Sequence, residues 1–174
     1  MDGARLGQGI MAEDSDLSLE DIALLTDVFW IGGTKNGALL GEAIVIAHSA
    51  IQEDFAFHIK QRGAMLSKGR ILGLQFLELF KDDLFFDLAK YANEQAMKIK
   101  QTFIEKDISF WAETTTNQIF PILHINQISQ LSQNFSFHHW RKIDEEHSAI
   151  RLITSWATNK SSIDTLIDKI VRLK

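Results

Sequence analysis

Lys35 stands in a glycine-rich stretch, Gly32-Gly33-Thr34-Lys35-Asn36-Gly37, between two apolar runs, Val28–Ile31 and Glu42–Ala47, that read as buried strands. A turn that only reverses the chain has no need of an amine, which is costly to bury. A phosphate-binding P-loop requires Gly-Lys followed by Ser or Thr; here Thr34 precedes Lys35 and Asn36 follows it. A dinucleotide fingerprint requires Gly-x-Gly-x-x-Gly after a strand, and the sequence has none. A lysine that forms a Schiff base fits the residues better. Its amine has to be partly desolvated to act as a nucleophile, and Gly32, Gly33 and Gly37 are small enough to leave room for a flat cofactor. Pyridoxal 5'-phosphate chemistry also asks for an acid at the pyridine nitrogen and a cation for the substrate carboxylate. Asp2 is the candidate acid, and Arg5 and Arg151 are the candidate cations, because guanidinium groups bind carboxylates bidentately.

These residues need a scaffold. Ser18-Leu19-Glu20-Asp21 opens a short helix, with Ser18 as N-cap and Asp21 closing a weak capping box. Met65–Phe80 carries Leu, Ile and Phe at helical spacing and predicts a long, mostly buried helix, broken at Lys81-Asp82-Asp83. A second helix is predicted from about Leu84 to Glu105. Beyond Asp107 the period changes, and Ile108–Trp111, Ile119–Ile125, Phe135–Trp140 and Ile150–Trp156 read as four strands. A short helix over Gln127–Ser132 separates the middle two. A last helix runs over Ser161–Leu173, capped by Ser161 or Ser162. The fold class is α/β, with a boundary near residue 95 and a mainly antiparallel sheet beyond it. The first part looks incomplete: its apolar strands would leave open edges, and Asp2-Gly3-Ala4-Arg5 reads as the end of a strand whose body is absent.

The 174 residues suffice for one domain or a little more. A net charge of −5 carries no basic excess that would direct the chain to nucleic acid or an anionic membrane. The absence of cysteine excludes a disulfide framework and thiolate chemistry. No apolar run reaches the length of a membrane span, and the N-terminus lacks the order of a signal peptide. An intracellular, cytoplasmic enzyme is the default.

Each candidate also has a plainer reading. Gly32–Gly37 could be a surface turn, and Asp2 a solvated acid on a fraying end. Arg151 could be the outward residue of an amphipathic strand. The charges from Lys60 to Arg70 could form a solvated helix face. His138 and His139 are adjacent on a strand and point to opposite faces, so they read as structural, and no metal site is predicted.

Asp2-Gly3-Ala4-Arg5-Leu6 followed by Thr26-Asp27-Val28-Phe29-Trp30-Ile31-Gly32-Gly33-Thr34-Lys35 resembles the low-specificity threonine aldolases. These belong to the β-eliminating lyase group of the aspartate-aminotransferase-type (fold-type I) pyridoxal phosphate enzymes. The resemblance continues through Lys60-Gln61-Arg62-Gly63, Lys68-Gly69-Arg70 and Ile150-Arg151-Leu152-Ile153-Thr154-Ser155-Trp156, and so covers nearly the whole chain. It implies that Lys35 is the cofactor-anchoring lysine, that Asp2 pairs with the pyridine nitrogen, and that Thr34 contacts cofactor or substrate. It implies that Arg5 and Arg151 bind the substrate carboxylate, and that Lys60, Arg62, Lys68 and Arg70 could reach a phosphate in a neighbouring subunit. The implied reaction is retro-aldol cleavage of a β-hydroxy-α-amino acid, such as threonine to glycine and acetaldehyde, in a homo-oligomer with shared sites.

In that family the phosphate-binding loop and the ring-stacking histidine precede the Asp-Gly-Ala-Arg motif. This chain is therefore expected to correspond to the C-terminal half. Residues 1–94 would be the end of the cofactor-binding large domain with its linking helices, and 95–174 the small α/β domain. Two alternatives stay open: a non-catalytic remnant, and another pyridoxal phosphate reaction such as β-elimination.

Overall fold

A computed structural model describes residues 1–173. The chain divides into two units, one of Met1–Ile10 with Ser15–Leu88, the other of Met11–Asp14 with the chain from Ala89 onward.

In the first unit, β1 (Val28–Gly32) and β2 (Glu42–Ile46) pair antiparallel, from Val28 opposite Ile46 to Gly32 opposite Glu42. The other edge of β1 is taken by the start of the chain, running parallel to it. The Met1 amino group donates to Val28 O (2.7 Å), Trp30 N–H to Met1 O (3.4 Å), and Gly32 N–H to Gly3 O (2.9 Å). This is the evenly stepped bonding of a parallel ladder. A Cβ on Gly3 would lie 1.8 Å from Trp30 O, so no other residue fits there. Helix α1 (Leu6–Ile10) follows at once and buries Leu6 and Gln8. Helix α2 (Leu19–Leu25) starts on the predicted capping box: Asp21 N–H donates to Ser18 Oγ (3.1 Å) and Ser18 N–H to Asp21 Oδ2 (2.9 Å). Leu6, Ile22, Phe29, Ile31, Leu79 and Phe85 form the core.

Several expectations for this unit need correction. β2 is half-exposed, with Ile44 pointing outward, because only one face of the two-stranded ribbon meets the core. Two short helices, α3 (Ser49–Gln52) and α4 (Phe55–Gln61), follow it and bury no residue. The helix expected over Met65–Phe80 is α5 (Arg70–Leu79), and only Leu79 is buried on it. Ile71 and Leu77 are more than 60% exposed. Helical spacing of apolar residues thus marked a helix and said nothing of what covers it. The break at Lys81–Asp83 is a 3-10 turn with Asp82 and Asp83 in the left-handed region, which aspartate tolerates better than most residues. Helix α6 (Leu84–Ile104) follows, one residue shorter than predicted.

In the second unit, β6 (His147–Ile153) is the central strand. β3 (Gln118–Ile119) and β4 (Ile122–His124) pair with it on one edge, and β5 (His138–Lys142) pairs on the other, all antiparallel. The expected strand over Ile119–Ile125 is split at Phe120–Pro121, since proline has no N–H for the ladder. The expected strand over Ile108–Trp111 is reduced to a single bridge between Phe110 and Pro121. The expected strand over Phe135–Trp140 begins later, at His138. Helix α7 (Ile125–Ser132) is capped by His124, whose Nδ1 accepts from Asn126 N–H (3.1 Å). Helix α8 (Lys160–Val171) is capped by Asn159, whose Oδ1 accepts from Ser162 N–H (2.9 Å); neither predicted serine is the cap. Ile150 and Leu152 of β6 face a core built with α6, α7 and α8. Buried Thr154 ends the strand, its hydroxyl donating to Ala92 O (2.6 Å) and its carbonyl accepting from Asn117 Nδ2 (2.6 Å).

Two outcomes are expected. Gly3→Ala forces the first segment off β1, so the Gly32 amide exchanges with solvent deuterium about tenfold faster or more; unchanged protection would count against the parallel contact. The Ser18 hydroxyl, and then its backbone N–H, hold the Asp21 carboxyl below the ordinary aspartate value. A lowered folded-state value adds stability above the unfolded value, and that stability is lost as pH falls through the folded one. The melting temperatures of the parent and Asp21→Asn should therefore converge between about pH 5 and pH 2; a constant gap would contradict the linkage.

Candidate functional site

The turn that carries Lys35 is built from the inside. Gly33 O accepts from the N–H groups of Asn36 (2.8 Å) and Ala38 (3.0 Å). The Asn36 side chain is 1% exposed, and both ends of its amide are used. Nδ2 donates to Phe85 O (2.7 Å), and Oδ1 accepts from Gln8 Nε2 (3.0 Å). With Asn36 turned inward, its neighbours Thr34 and Lys35 are exposed. Lys35 Nζ has no hydrogen-bond or ion-pair partner among the described residues. On the far side of the turn, Gln75 holds residues 39 and 40: its Oε1 accepts from Leu39 N–H (2.7 Å), and its Nε2 donates to Leu40 O (3.1 Å).

The glycines serve the chain's own packing, which corrects the expectation that they leave room for a cofactor. A Cβ on Gly32 would lie 2.8 Å from the Ala4 backbone, one on Gly33 2.8 Å from Ala38 Cβ, and one on Gly37 2.8 Å from a Leu88 methyl. Gly37 also sits at φ +108°, where a side chain is strained.

Asp2 and Arg5 lie on the segment that the Gly3–Gly32 bond ties to β1, and Lys35 follows Gly32 by three residues. Asp2 is exposed. Its Oδ1 accepts from Ala4 N–H (2.9 Å) and from the Trp30 indole N–H (3.1 Å), and Oδ2 has no partner among the described residues. Arg5 is half-buried at the head of α1.

Arg151 belongs to the second unit. It lies on β6 opposite His138, on the face away from Ile150 and Leu152. Its guanidinium carbon stands 5.2 Å from the centre of the Trp140 ring, a cation–π distance. Its Nε is buried without a hydrogen-bond partner. Trp140 is itself packed by Phe120 (5.0 Å) and Trp111 (5.8 Å). The remaining basic candidates, Lys60, Arg62, Lys68 and Arg70, are all exposed along α4, the loop after it and the start of α5. His138 and His139 are exposed, and their rings lie near Trp140 and Phe137 respectively. Among the described residues no group of three or more His, Asp or Glu is placed to hold a metal ion.

Gln8, Asn36 and Trp140 escaped the sequence reading. Asn36 offered a weak signal, as a polar residue inside the lysine turn. Gln8 and Trp140 offered none, because their partners are set by tertiary contacts. The amine of Lys35, the free Asp2 oxygen and the unpartnered Arg151 Nε keep hydrogen-bonding capacity unspent. In the first unit the Lys35 amine and the Asp2 oxygen suit a cofactor with a carbonyl and a ring nitrogen; in the second the Arg151 guanidinium suits a carboxylate.

No family model matches the chain. It is 40% identical over 70 residues to the low-specificity L-threonine aldolase of Pseudomonas aeruginosa, a stretch that is 40% of this chain and 20% of that protein. A Pseudomonas sp. enzyme of the same name matches to the same extent. A solved threonine aldolase of Leishmania major superposes with a TM-score of 0.95 and 38% identity, over 99% of this chain and 50% of that one. The serine palmitoyltransferase of Sphingomonas wittichii superposes with a TM-score of 0.65 at 13% identity, over 98% of this chain and 45% of that one, which shows the fold alone. The architecture is that of the pyridoxal phosphate fold-type I enzymes, and the chain spans about half the length of its solved Leishmania relative. Along almost its whole length the chain carries 38% identity with half of a threonine aldolase.

Proposed function

We propose that the chain takes part in pyridoxal 5'-phosphate-dependent cleavage of β-hydroxy-α-amino acids, threonine to glycine and acetaldehyde. The observation that carries this reading is the 38% identity over 99% of the chain with the Leishmania major threonine aldolase. The unspent Lys35 amine, on a turn anchored from beneath, supports it.

Bound pyridoxal phosphate supplies an electron sink for the pair released at the substrate Cα. Lys35 would hold the cofactor through its amine. Asp2 would offer its free oxygen to the ring nitrogen, and Thr34 would contact the same group. Arg5 would grip the substrate carboxylate, and Arg151 is the proposed carboxylate-binding residue of the second unit. A guanidinium holds a carboxylate in a fixed plane, and fixing the carboxylate selects which bond at Cα is aligned to break. Cleavage breaks the Cα–Cβ bond, takes the proton from the β-hydroxyl and returns one to Cα. The Trp140 ring faces the Arg151 guanidinium at 5.2 Å without consuming its hydrogen-bond donors.

A second reading is that these residues do no chemistry until a further polypeptide surface covers them. The exposure of Asp2, Thr34 and Lys35 favours it, since electrostatic catalysis gains from excluding water.

The test is to mix the purified protein with pyridoxal phosphate, fix the adduct with borohydride, and locate the pyridoxyl group by peptide mass spectrometry. Acetaldehyde release from threonine is measured in parallel. Labelling at Lys35 with acetaldehyde release, both lost in Lys35→Ala, is the expected outcome. Labelling without acetaldehyde supports the second reading. Full acetaldehyde release by Lys35→Ala would overturn the mechanism.

A further inference from the structure

We infer that Asn36 is a positioning residue for Lys35, and that Gln8 couples to it the segment bearing Asp2 and Arg5. The inference rests on the proposed role of Lys35 and goes beyond it, to residues that touch neither cofactor nor substrate.

Gln8 and Asn36 are each 1% exposed, beside a core of Leu6, Ala38, Leu79 and Phe85. A buried amide is costly unless it is hydrogen-bonded, and an apolar side chain would fill such a place without that cost. What the amide adds is direction. Asn36 is held at three points: its backbone N–H bonds to Gly33 O, its Nδ2 to Phe85 O, and its Oδ1 to Gln8 Nε2. Those bonds fix the backbone next to Lys35 in a turn whose other members are mostly glycine, the residue with the most conformational freedom to lose. A lysine side chain is flexible, so the direction in which Lys35 leaves the surface depends on that backbone.

The Gln8 bond has a second consequence. Gln8 lies on α1, directly after Asp2–Arg5, while Asn36 directly follows Lys35. One side-chain hydrogen bond therefore ties the segment with the proposed carboxylate and guanidinium to the turn with the amine. It acts beside the backbone bond between Gly32 and Gly3.

The test uses the full chain, pyridoxal phosphate and borohydride, with labelling at Lys35 compared with labelling at Lys60 and Lys68 in the same molecule. Asn36→Ala should raise the pyridoxal phosphate concentration for half-labelling of Lys35 about tenfold and leave the two reference lysines unchanged. Gln8→Met, which keeps the side-chain bulk, should shift Lys35 in the same direction by less. The double variant should lose no more than Asn36→Ala alone, because the two residues act through one bond. A merely structural role would lower the melting temperature without changing the ratio of Lys35 to the reference sites. If Asn36→Ala does not melt cooperatively, Gln8→Met alone decides the matter. Parent-like Lys35 labelling in a folded variant overturns the inference and leaves the proposed function standing. A parent chain that labels Lys35 no better than Lys60 and Lys68 overturns both.

Discussion

Gly32 donates its amide hydrogen to Gly3 across 2.9 Å, and the first unit is arranged around that contact. It requires two backbones to approach closely enough that a Cβ on either side collides with the other. Because the approach occurs where β1 ends, the chain entering α1 and the chain leaving β1 diverge from one place. Asp2 and Arg5 lie on the first path and Thr34 and Lys35 on the second. The buried bond between Gln8 and Asn36 joins the two paths again further in. The glycines that looked like space for a ligand are the means by which two segments of protein touch.

The second unit solves a different problem by ordinary sheet alternation. β6 puts Ile150 and Leu152 into a core against three helices, and the period of two sends Arg151 to the other face. There it meets an aromatic cluster, not a carboxylate. Trp140 holds the guanidinium by its ring face and leaves the N–H groups unspent, with Nε buried and unpaired. A carboxylate partner would have used those donors. An aromatic neighbour leaves the guanidinium without an ion-pair partner among the described residues.

Local features were readable wherever the determinant was local. The Ser18–Asp21 capping box, the break at Lys81–Asp83 and the helix from Leu84 each depend on a few adjacent residues. The failures have a common origin. Met65–Phe80 was expected to be buried because it is apolar, yet α5 buries only Leu79, and Ile71 and Leu77 face outward. Pro121 divided a strand whose hydrophobic pattern was continuous, because the ladder needs an N–H that the pattern does not count.

The amino-acid sequence by itself determined the chemical inventory: an amine in a glycine turn, a carboxylate and a guanidinium in an Asp-Gly-Ala-Arg stretch, and a second guanidinium on a strand. It also determined the residues by which the chain resembles threonine aldolases. Only the tertiary structure decided which of these groups remain unspent and what holds them in place. The partners of Asn36 are 28 and 49 positions away in sequence, and the alignment of Trp140 with Arg151 follows from a strand register with an irregularity at residues 139–141. Hydrogen bonds of that span and a register of that kind are set by packing, so no local pattern encodes them.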